Sequence, residues 1–478
     1  MDEQSHRVAL LSALTDLRLL RAAFVGFAAF AVYHAPAGAD EIGRYLRQQR
    51  IVYQVPAIVV GIIRGGKLID SRALGSANVE LNVPASARQV YEIGSISKQF
   101  TAYAILILYE EGKVDLTAPI GRYLPELPAP WAAPTLHELM SHTSGLPDFE
   151  DAFGYGVYRE TPSDEDFQNR LLTLPIESEP GKKWKYSNTN YWLLARVVER
   201  LSGVRYAQFM QDRVFGPLGM KSTRAALPSQ ILMARAAGYR LVDGELQNRE
   251  PMQPNTGRGL GDIATTVEDM ARWEREQRAP RLVKSETSRL ARQPVTLSDG
   301  STTKYGYGWF ADDTFPTPAL SHNGQTAGFV AEYLRIPDRD LAIVVFANCY
   351  GAPGMATRIA RLADPALRGP ELKPVANADA RQTERIRELA STAAQAQSGW
   401  HEEWFTAEFW AEIRPYLPEV EAAYRRRGAM RSVIPVGPNG VRAQEKPKFR
   451  VAFKNVTRLM AFEFDDDGRI KGISSEDQ

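Results

Sequence analysis

Ser95-Ile96-Ser97-Lys98 sets a hydroxyl and an amine three residues apart, which on a helix is one turn and one face. A serine hydroxyl attacks a carbonyl only once a neighbouring base takes its proton, and the unpaired N–H groups at a helix start favour the negative charge that attack creates. Nucleophile, base and an electropositive helix end would coincide at Ser95. Ser97 lies two residues on and points across the helix, where a solvent or cap contact is expected. Ser95 alone is also a natural helix N-cap, so the pair needs support from elsewhere in the chain. A second copy of the spacing, Ser301-Thr302-Thr303-Lys304, follows Asp299-Gly300 and runs into Tyr305-Gly306-Tyr307-Gly308. That stretch has no helical period, so its Ser and Lys need not share a face, and Ser95 is preferred over Ser301.

Tyr186-Ser187-Asn188, the only Y-x-N of the chain, offers a phenol that can relay protons and an amide that can bind a substrate carbonyl. The alternative is a turn with Asn188 near a helix start. His322-Asn323-Gly324, with Gln325 and Gly328 beyond, falls at a strand edge, where glycine lets a substrate backbone approach closely. A lone histidine on a strand is otherwise structural. Lys304-Tyr305-Gly306 competes as a basic-x-Gly triplet but lacks the apolar strand that should follow it.

These residues need a scaffold, and the hydrophobic pattern supplies one. Ala57 to Arg64 and Lys67 to Leu74 read as strands joined by Gly65-Gly66, a dipeptide suited to a two-residue hairpin. From Ser95 the period becomes helical, with Phe100, Ala104, Ile107 and Leu108 on one stripe and Glu111-Gly112 at its end. Helical segments then dominate from Leu116 to Arg292: Leu136 to His142, Asn190 to Leu201, Ala207 to Phe215, and Thr266 to Glu276 with Thr265 or Thr266 as N-cap. Strands return at Ala319 to His322, Gly328 to Ile336 and Leu341 to Asn348. The expected fold class is α/β: an antiparallel sheet built from both ends of the catalytic region, flanked by helices, with an inserted helical domain and the active cleft where the two meet. A small C-terminal α+β module should follow over residues 366–478, with a helical stretch from Asp379 to Gln397 and strands at Lys448 to Lys454, Arg458 to Phe464 and Ile470 to Ser474. Arg425-Arg426-Arg427 within it reads as a solvated helix end.

Taken in order, S-x-x-K at a helix start, Y-x-N before a later helix and H-x-G on a returning strand resemble the serine β-lactamase and penicillin-binding-protein superfamily. The tyrosine of the second triplet resembles its class C β-lactamase, D-alanyl-D-alanine carboxypeptidase and esterase branch. The resemblance runs from about Ile51 to Leu362 and takes in Leu139-Met140-Ser141-His142-Thr143-Ser144-Gly145-Leu146-Pro147 and Tyr305-Gly306-Tyr307-Gly308-Trp309. It implies a β-lactamase/transpeptidase-like fold over residues 40–365 and an acyl-enzyme mechanism without metal or organic cofactor. Ser95 would attack, Lys98 and Tyr186 would move its proton, and Asn188, His322, Gly324 and Gln325 would meet the substrate. The backbone N–H groups of Ser95 and Gln325 would form the oxyanion hole, and deacylation would fall to Tyr186 and water. His322 departs from the β-lactamase pattern, which has lysine there. An imidazole titrating near ~6.5 is expected to make recognition of anionic donors depend on pH in that range. The implied reaction is hydrolysis of an ester or amide, D-amino-acid peptides included, with a class C-like β-lactamase as runner-up and a penicillin-acylated sensor without turnover as a rival from another class.

Composition bounds the rest. The chain has 478 residues, 44% hydrophobic and 24% charged, with a formal net charge of +1. No whole-protein field attracts nucleic acid or an anionic membrane, so a small-molecule or peptide substrate is the expected partner. Cys349 is the only cysteine, which excludes an intramolecular disulfide and suits a small buried side chain. Arg18 and Arg21 precede the apolar run Ala22 to Val32, and Ala37-Gly38-Ala39 stands before Asp40. Residues 1–39 therefore resemble a secretory signal peptide, with retention as an anchor the alternative. The run is shorter than the ~20 residues of a membrane span, so a periplasmic or secreted protein without stable membrane insertion after leader removal is expected.

Overall fold

The computed structural model describes residues 37–225, 230–242, 244–349, 354–376, 378–394, 400–414, 417–438 and 447–477. Most of the expected leader lies outside them; its last three residues open the helix Ala37–Tyr53. Among the described residues no helix is long and apolar enough to cross a membrane.

The Val- and Ile-rich strand Ala57–Arg64 is buried along its whole length except at Arg64, the mark of a strand covered on both faces. Gly65 and Gly66 both have positive φ, 58° and 70°, which lets a tight turn return the chain as Lys67–Asn78. On its other edge Ala57–Arg64 pairs antiparallel with Leu341–Ala347, Ile58 opposite Ala347 and Arg64 opposite Leu341. The Asn348 side chain fastens this seam, accepting the Ala57 N–H at 2.7 Å across 291 residues of sequence. The resulting seven-stranded sheet runs Val83–Pro84, Lys67–Asn78, Ala57–Arg64, Leu341–Ala347, Phe329–Ile336, Ala319–Thr326 and Phe310–Asp312. It is antiparallel and built from both ends of the catalytic region, with helices between them, as the pattern implied.

Alternate residues of the central strands serve different layers. Val59, Ile63, Val344 and Phe346 pack with the helix Ser97–Glu110. Ile58, Val60, Ile62, Ile343 and Val345 pack with the helices Ala37–Tyr53 and Met355–Ala363. Where the sequence suggested one apolar stripe on Ser97–Glu110, every residue from Ser97 to Leu108 is buried; this helix is enclosed on all sides. It also begins two residues later than expected. Ser95 sits on a preceding 3₁₀ turn, Gly94–Ile96, and the helix N-cap is Ile96 with no side-chain cap bond, so Ser95 does not serve as the N-cap. Ser97 is corrected as well: it is buried, and its hydroxyl accepts the Ile263 N–H at 3.1 Å rather than meeting solvent.

The intervening region carries the helices Asn188–Ser202 and Val267–Arg278. Thr266 caps the second, its hydroxyl accepting the Asp269 N–H at 3.1 Å. Ala207 to Phe215 splits into a short α-helix, Tyr206–Met210, and a π-helical turn, Gln211–Phe215, a boundary no periodicity announces. Cys349 is buried.

Toward the C-terminus a second antiparallel sheet runs Leu372–Pro374, Met430–Pro438, Lys448–Phe453, Thr457–Phe464 and Ile470–Asp477. Its core gathers Ile386, Leu389, Tyr424, Val451, Phe453 and Phe462, and takes in Val52 from the first helix. Arg458 reaches the Tyr53 hydroxyl at 3.3 Å. The arginine cluster at the end of the helix Leu417–Arg427 is not simply solvated: Arg426 donates to the Val52 carbonyl at 3.1 Å, and Arg427 lies 4.3 Å over the Tyr424 ring. An aliphatic stem and a planar cation suit such seams between elements.

Candidate active site

Two glycines let the sheet touch the turn that carries Ser95. A Cβ at Gly324 would stand 1.8 Å from the Ile93 carbonyl oxygen and 3.0 Å from the Ser95 nitrogen. One at Gly94, where φ is 49°, would stand 2.3 Å from the Gln325 nitrogen. Backbone therefore lies directly on backbone, and the amides of Ser95 and Gln325 are neighbours, as an oxyanion hole requires.

Lys98 is fully buried. Its Nζ is 3.0 Å from Ser95 Oγ, 2.8 Å from Asn188 Oδ1 and 3.0 Å from the Leu260 carbonyl oxygen. Burial pushes the amine down to about 7, against the opposing fields of Asp148 and Glu150. Tyr186 lines the cleft beside Ser95, and burial of its hydroxyl holds the phenol well above its ordinary value, against the lowering effect of the nearby Ser95 hydroxyl. The Lys98 Nζ lies 4.8 Å from the Tyr186 ring centre. Asn188, at the first turn of its helix, bridges two parts of the site: its Oδ1 accepts from Lys98, while its Nδ2 donates to Asp148 at 3.3 Å and Glu150 at 3.1 Å.

Ser95, Tyr186, Asn188, Leu260, Gly261 and Gln325 line a cleft of about 270 Å³ whose wall also includes Asp148, Glu150, Asp151, Tyr155, Tyr158 and Met252. Sequence reasoning passed over this acidic and tyrosine-rich wall. Its signal was present in Pro147-Asp148-Phe149-Glu150-Asp151, directly after the Leu139–Pro147 segment. Asp148 is raised to about 6, chiefly by burial.

His322 is brought near the site without entering the cleft wall. It is buried, with Nδ1 2.6 Å from the Asn323 carbonyl oxygen and Nε2 3.0 Å from the Tyr305 hydroxyl. A carbonyl only accepts, so Nδ1 carries the proton and Nε2 accepts from Tyr305. Burial, then the Lys98 charge, lower the imidazole to about 3, against the Asn323 bond. The expected titration near neutrality is thus corrected: this ring is a neutral strut in the physiological range. The second S-x-x-K does not assemble. Ser301 donates to Asp299 at 2.6 Å, and the exposed Lys304 pairs with Asp313 at 2.6 Å. That pairing also removes Lys304-Tyr305-Gly306 as a rival triplet.

Known proteins resemble the chain in sequence and in fold. The chain is 28% identical over 300 residues to penicillin-binding protein 4* of Bacillus subtilis, covering 59% of this chain and 66% of that one. It is 26% identical over 310 residues to a D-aminopeptidase of Gluconobacter oxydans, covering 63% of this chain and 57% of that one. The match thus spans somewhat less than two thirds of either relative. Among solved structures, an octameric penicillin-binding protein homologue from Pyrococcus abyssi superposes with a TM-score of 0.63 at 20% identity, over 92% of this chain and 98% of its own. A D-amino acid amidase from Ochrobactrum anthropi SV3 superposes with a TM-score of 0.59 at 22% identity, over 69% of this chain and 97% of its own. Both share the fold of this chain. A family model described as Beta-lactamase matches residues 42–368, which takes in both halves of the seven-stranded sheet and everything between them, and the chain therefore belongs to that family, within the β-lactamase/transpeptidase-like superfamily.

Proposed function

We propose that the protein is a serine hydrolase that opens amides and esters through an acyl-enzyme on Ser95, with amino-acid amides, D-amino-acid amides and peptides included, as its substrate class. The observation that carries this reading is the environment of Lys98. A neutral amine has two hydrogens and one lone pair. Asn188 Oδ1 and the Leu260 carbonyl can only accept, so they take the hydrogens and leave the lone pair for the proton of Ser95 Oγ at 3.0 Å. With the amine lowered to about 7, the free base is well populated at neutral pH, where a general base works best. Ser95 then attacks the carbonyl as Lys98 takes its proton, the amides of Ser95 and Gln325 receive the oxyanion, and the Tyr186 phenol passes a proton to the leaving nitrogen or oxygen while taking one from the Lys98 ammonium, which leaves both groups neutral. Water then attacks the acyl carbonyl as its proton passes through Tyr186 to Lys98, and Lys98 returns a proton to Ser95 Oγ as the acid departs.

The acidic wall supports the choice of substrate. Asp148 and Glu150 line the same cleft as Ser95, where they favour a donor with a protonated amine and oppose one ending in a carboxylate. His322, neutral and internally bonded, supplies no cation for such a carboxylate. These features weigh against a β-lactamase and agree with the D-aminopeptidase and D-amino acid amidase among the similar proteins.

The test is intact-mass detection of a fluorophosphonate adduct, its mapping to Ser95, and turnover of D- and L-amino-acid amides, a neutral nitrophenyl ester and a chromogenic cephalosporin. The expected result is an adduct on Ser95 with turnover of amides and ester exceeding that of the cephalosporin. Adduct without turnover of any donor would make the protein a sensor, and preferred turnover of the cephalosporin would make it a β-lactamase.

A further inference from the structure

His142 belongs to the Leu139–Pro147 segment, and the chemistry above leaves it unused. It is buried and adopts φ 60°, a left-handed backbone uncommon for a residue other than glycine. That conformation turns both its carbonyl and its ring toward the Tyr186 segment. The His142 carbonyl accepts the Lys185 N–H at 2.9 Å, and His142 Nδ1 accepts the Ser187 N–H at 3.1 Å. The residues on either side of Tyr186 are thereby tied to one histidine. Between these two bonds, the Tyr186 ring lies on the His142 ring, with centres 4.2 Å apart and planes 33° from parallel. Tyr305 and Tyr191 close the far sides at 4.9 and 5.2 Å.

The tautomer follows from the donors. A backbone N–H can only donate, so Nδ1 has no proton. Asn190 Oδ1 is taken by the Ser144 hydroxyl at 2.7 Å, which turns the Asn190 Nδ2 toward Nδ1 at 3.4 Å. The ring proton is therefore on Nε2, a buried atom with no hydrogen-bond partner among the described residues. Burial, with the nearby Lys98 charge, keeps the ring neutral.

We propose that His142 is a positioning residue for Tyr186: through its carbonyl, its Nδ1 and its ring face it fixes where the phenol stands over Ser95 and Lys98, and it exchanges no proton itself. This rests on the reading of Ser95 and Tyr186 as catalytic, and it adds a residue that acts only through Tyr186.

The experiment is a double-mutant cycle on the full chain, with His142→Asn and His142→Leu each made in the wild-type and Tyr186→Phe backgrounds, and hydrolysis of a neutral nitrophenyl ester followed. Asparagine tolerates the left-handed backbone and offers Oδ1 to the Ser187 N–H but loses the ring face; leucine loses the acceptor as well. Displacing a catalytic group by an ångström can cost about a hundredfold, so kcat should fall about tenfold for H142N and about a hundredfold for H142L, with KM within about threefold of wild type. In Tyr186→Phe protein neither substitution should change the residual rate by more than about twofold, because groups acting as one unit are non-additive. Equal losses in both backgrounds would mean that His142 is merely structural, and an H142N enzyme with wild-type kcat would equally overturn the proposal. If H142L fails to fold, the H142N cycle decides alone. Wild-type protein that neither labels at Ser95 nor turns over any ester overturns the catalytic reading first, and the role of His142 with it.

Discussion

Lys98 loses its proton at about 7, so hydrolysis of a neutral ester should follow the fraction of free amine. On that basis kcat/KM rises with pH to about 7 and levels off above it, and a pH–rate profile checks this. His322, already neutral above about 3, adds no limb of its own, so the profile for an anionic ester should diverge from that for a neutral one near pH 6, where Asp148 ionises, and the divergence should shrink in Asp148→Asn. Asp148 offers a sharper test of the same electrostatics. Its charge raises the Lys98 amine, so Asp148→Asn should move the limb to lower pH. Its own value is raised by burial to about 6, meaning that the folded state holds the proton more tightly than the unfolded chain. Such a carboxylate leaves stability intact below its unfolded value near ~3.9 and costs stability as pH rises through about 6. Asp148 caps the short helix Phe149–Phe153, its side chain accepting the Glu150 N–H, and Asn can cap likewise, so Asp148→Asn should raise Tm near pH 7.5 and leave it nearly unchanged near pH 4, as scanning calorimetry at the two pH values would reveal. A Ser95→Ala protein should keep its Tm, since Ser95 caps no helix, and lose both fluorophosphonate labelling and turnover; retained turnover would sink the assignment of the nucleophile.

The elements around Ser95 are positioned by contact rather than by long side chains. Gly324→Ala would push a methyl group into the Ile93 carbonyl oxygen and prise the Ala319–Thr326 strand from the 3₁₀ turn. The expected outcome is at least a hundredfold loss of kcat, because the Gln325 amide then misses the oxyanion, together with a lower Tm; activity near wild type would show that the strand has room to spare. At this scale the sequence was legible where one physical signal dominated. Period-two Val and Ile runs gave the strands, and Gly65-Gly66 gave their hairpin. Motif order brought Tyr186 to Ser95 and Lys98 from a position far along the chain. Illegible features depended on burial, which spacing does not encode. His322 is a neutral strut because a carbonyl and a tyrosine hydroxyl occupy both ring nitrogens, and Asn188 links Lys98 to an acidic wall whose carboxylates lie 38 and 40 residues before it. The start of the central helix was missed because a serine in a 3₁₀ turn has the same local composition as an N-cap.

At the scale of the molecule, Val52 ties the first helix into the C-terminal core. Val52→Ala should cost ~1–3 kcal/mol, the range for losing buried apolar volume, and this is measurable by urea unfolding; no change would mean that the C-terminal core closes without it. The seam between Ala57–Arg64 and Leu341–Ala347 has a consequence in time. Ala57 meets Asn348 across 291 residues, so the central strand cannot gain its second neighbour until nearly the whole catalytic region has left the ribosome. At ~5–20 residues per second that wait is about 15–60 s, during which an apolar strand with an open edge invites pairing with the wrong chain. Contacts this distant also slow refolding. Nascent chains arrested before Leu341 should therefore remain protease-sensitive and bind holdase chaperones, and those extended beyond Asn348 by the length of the exit tunnel should become resistant.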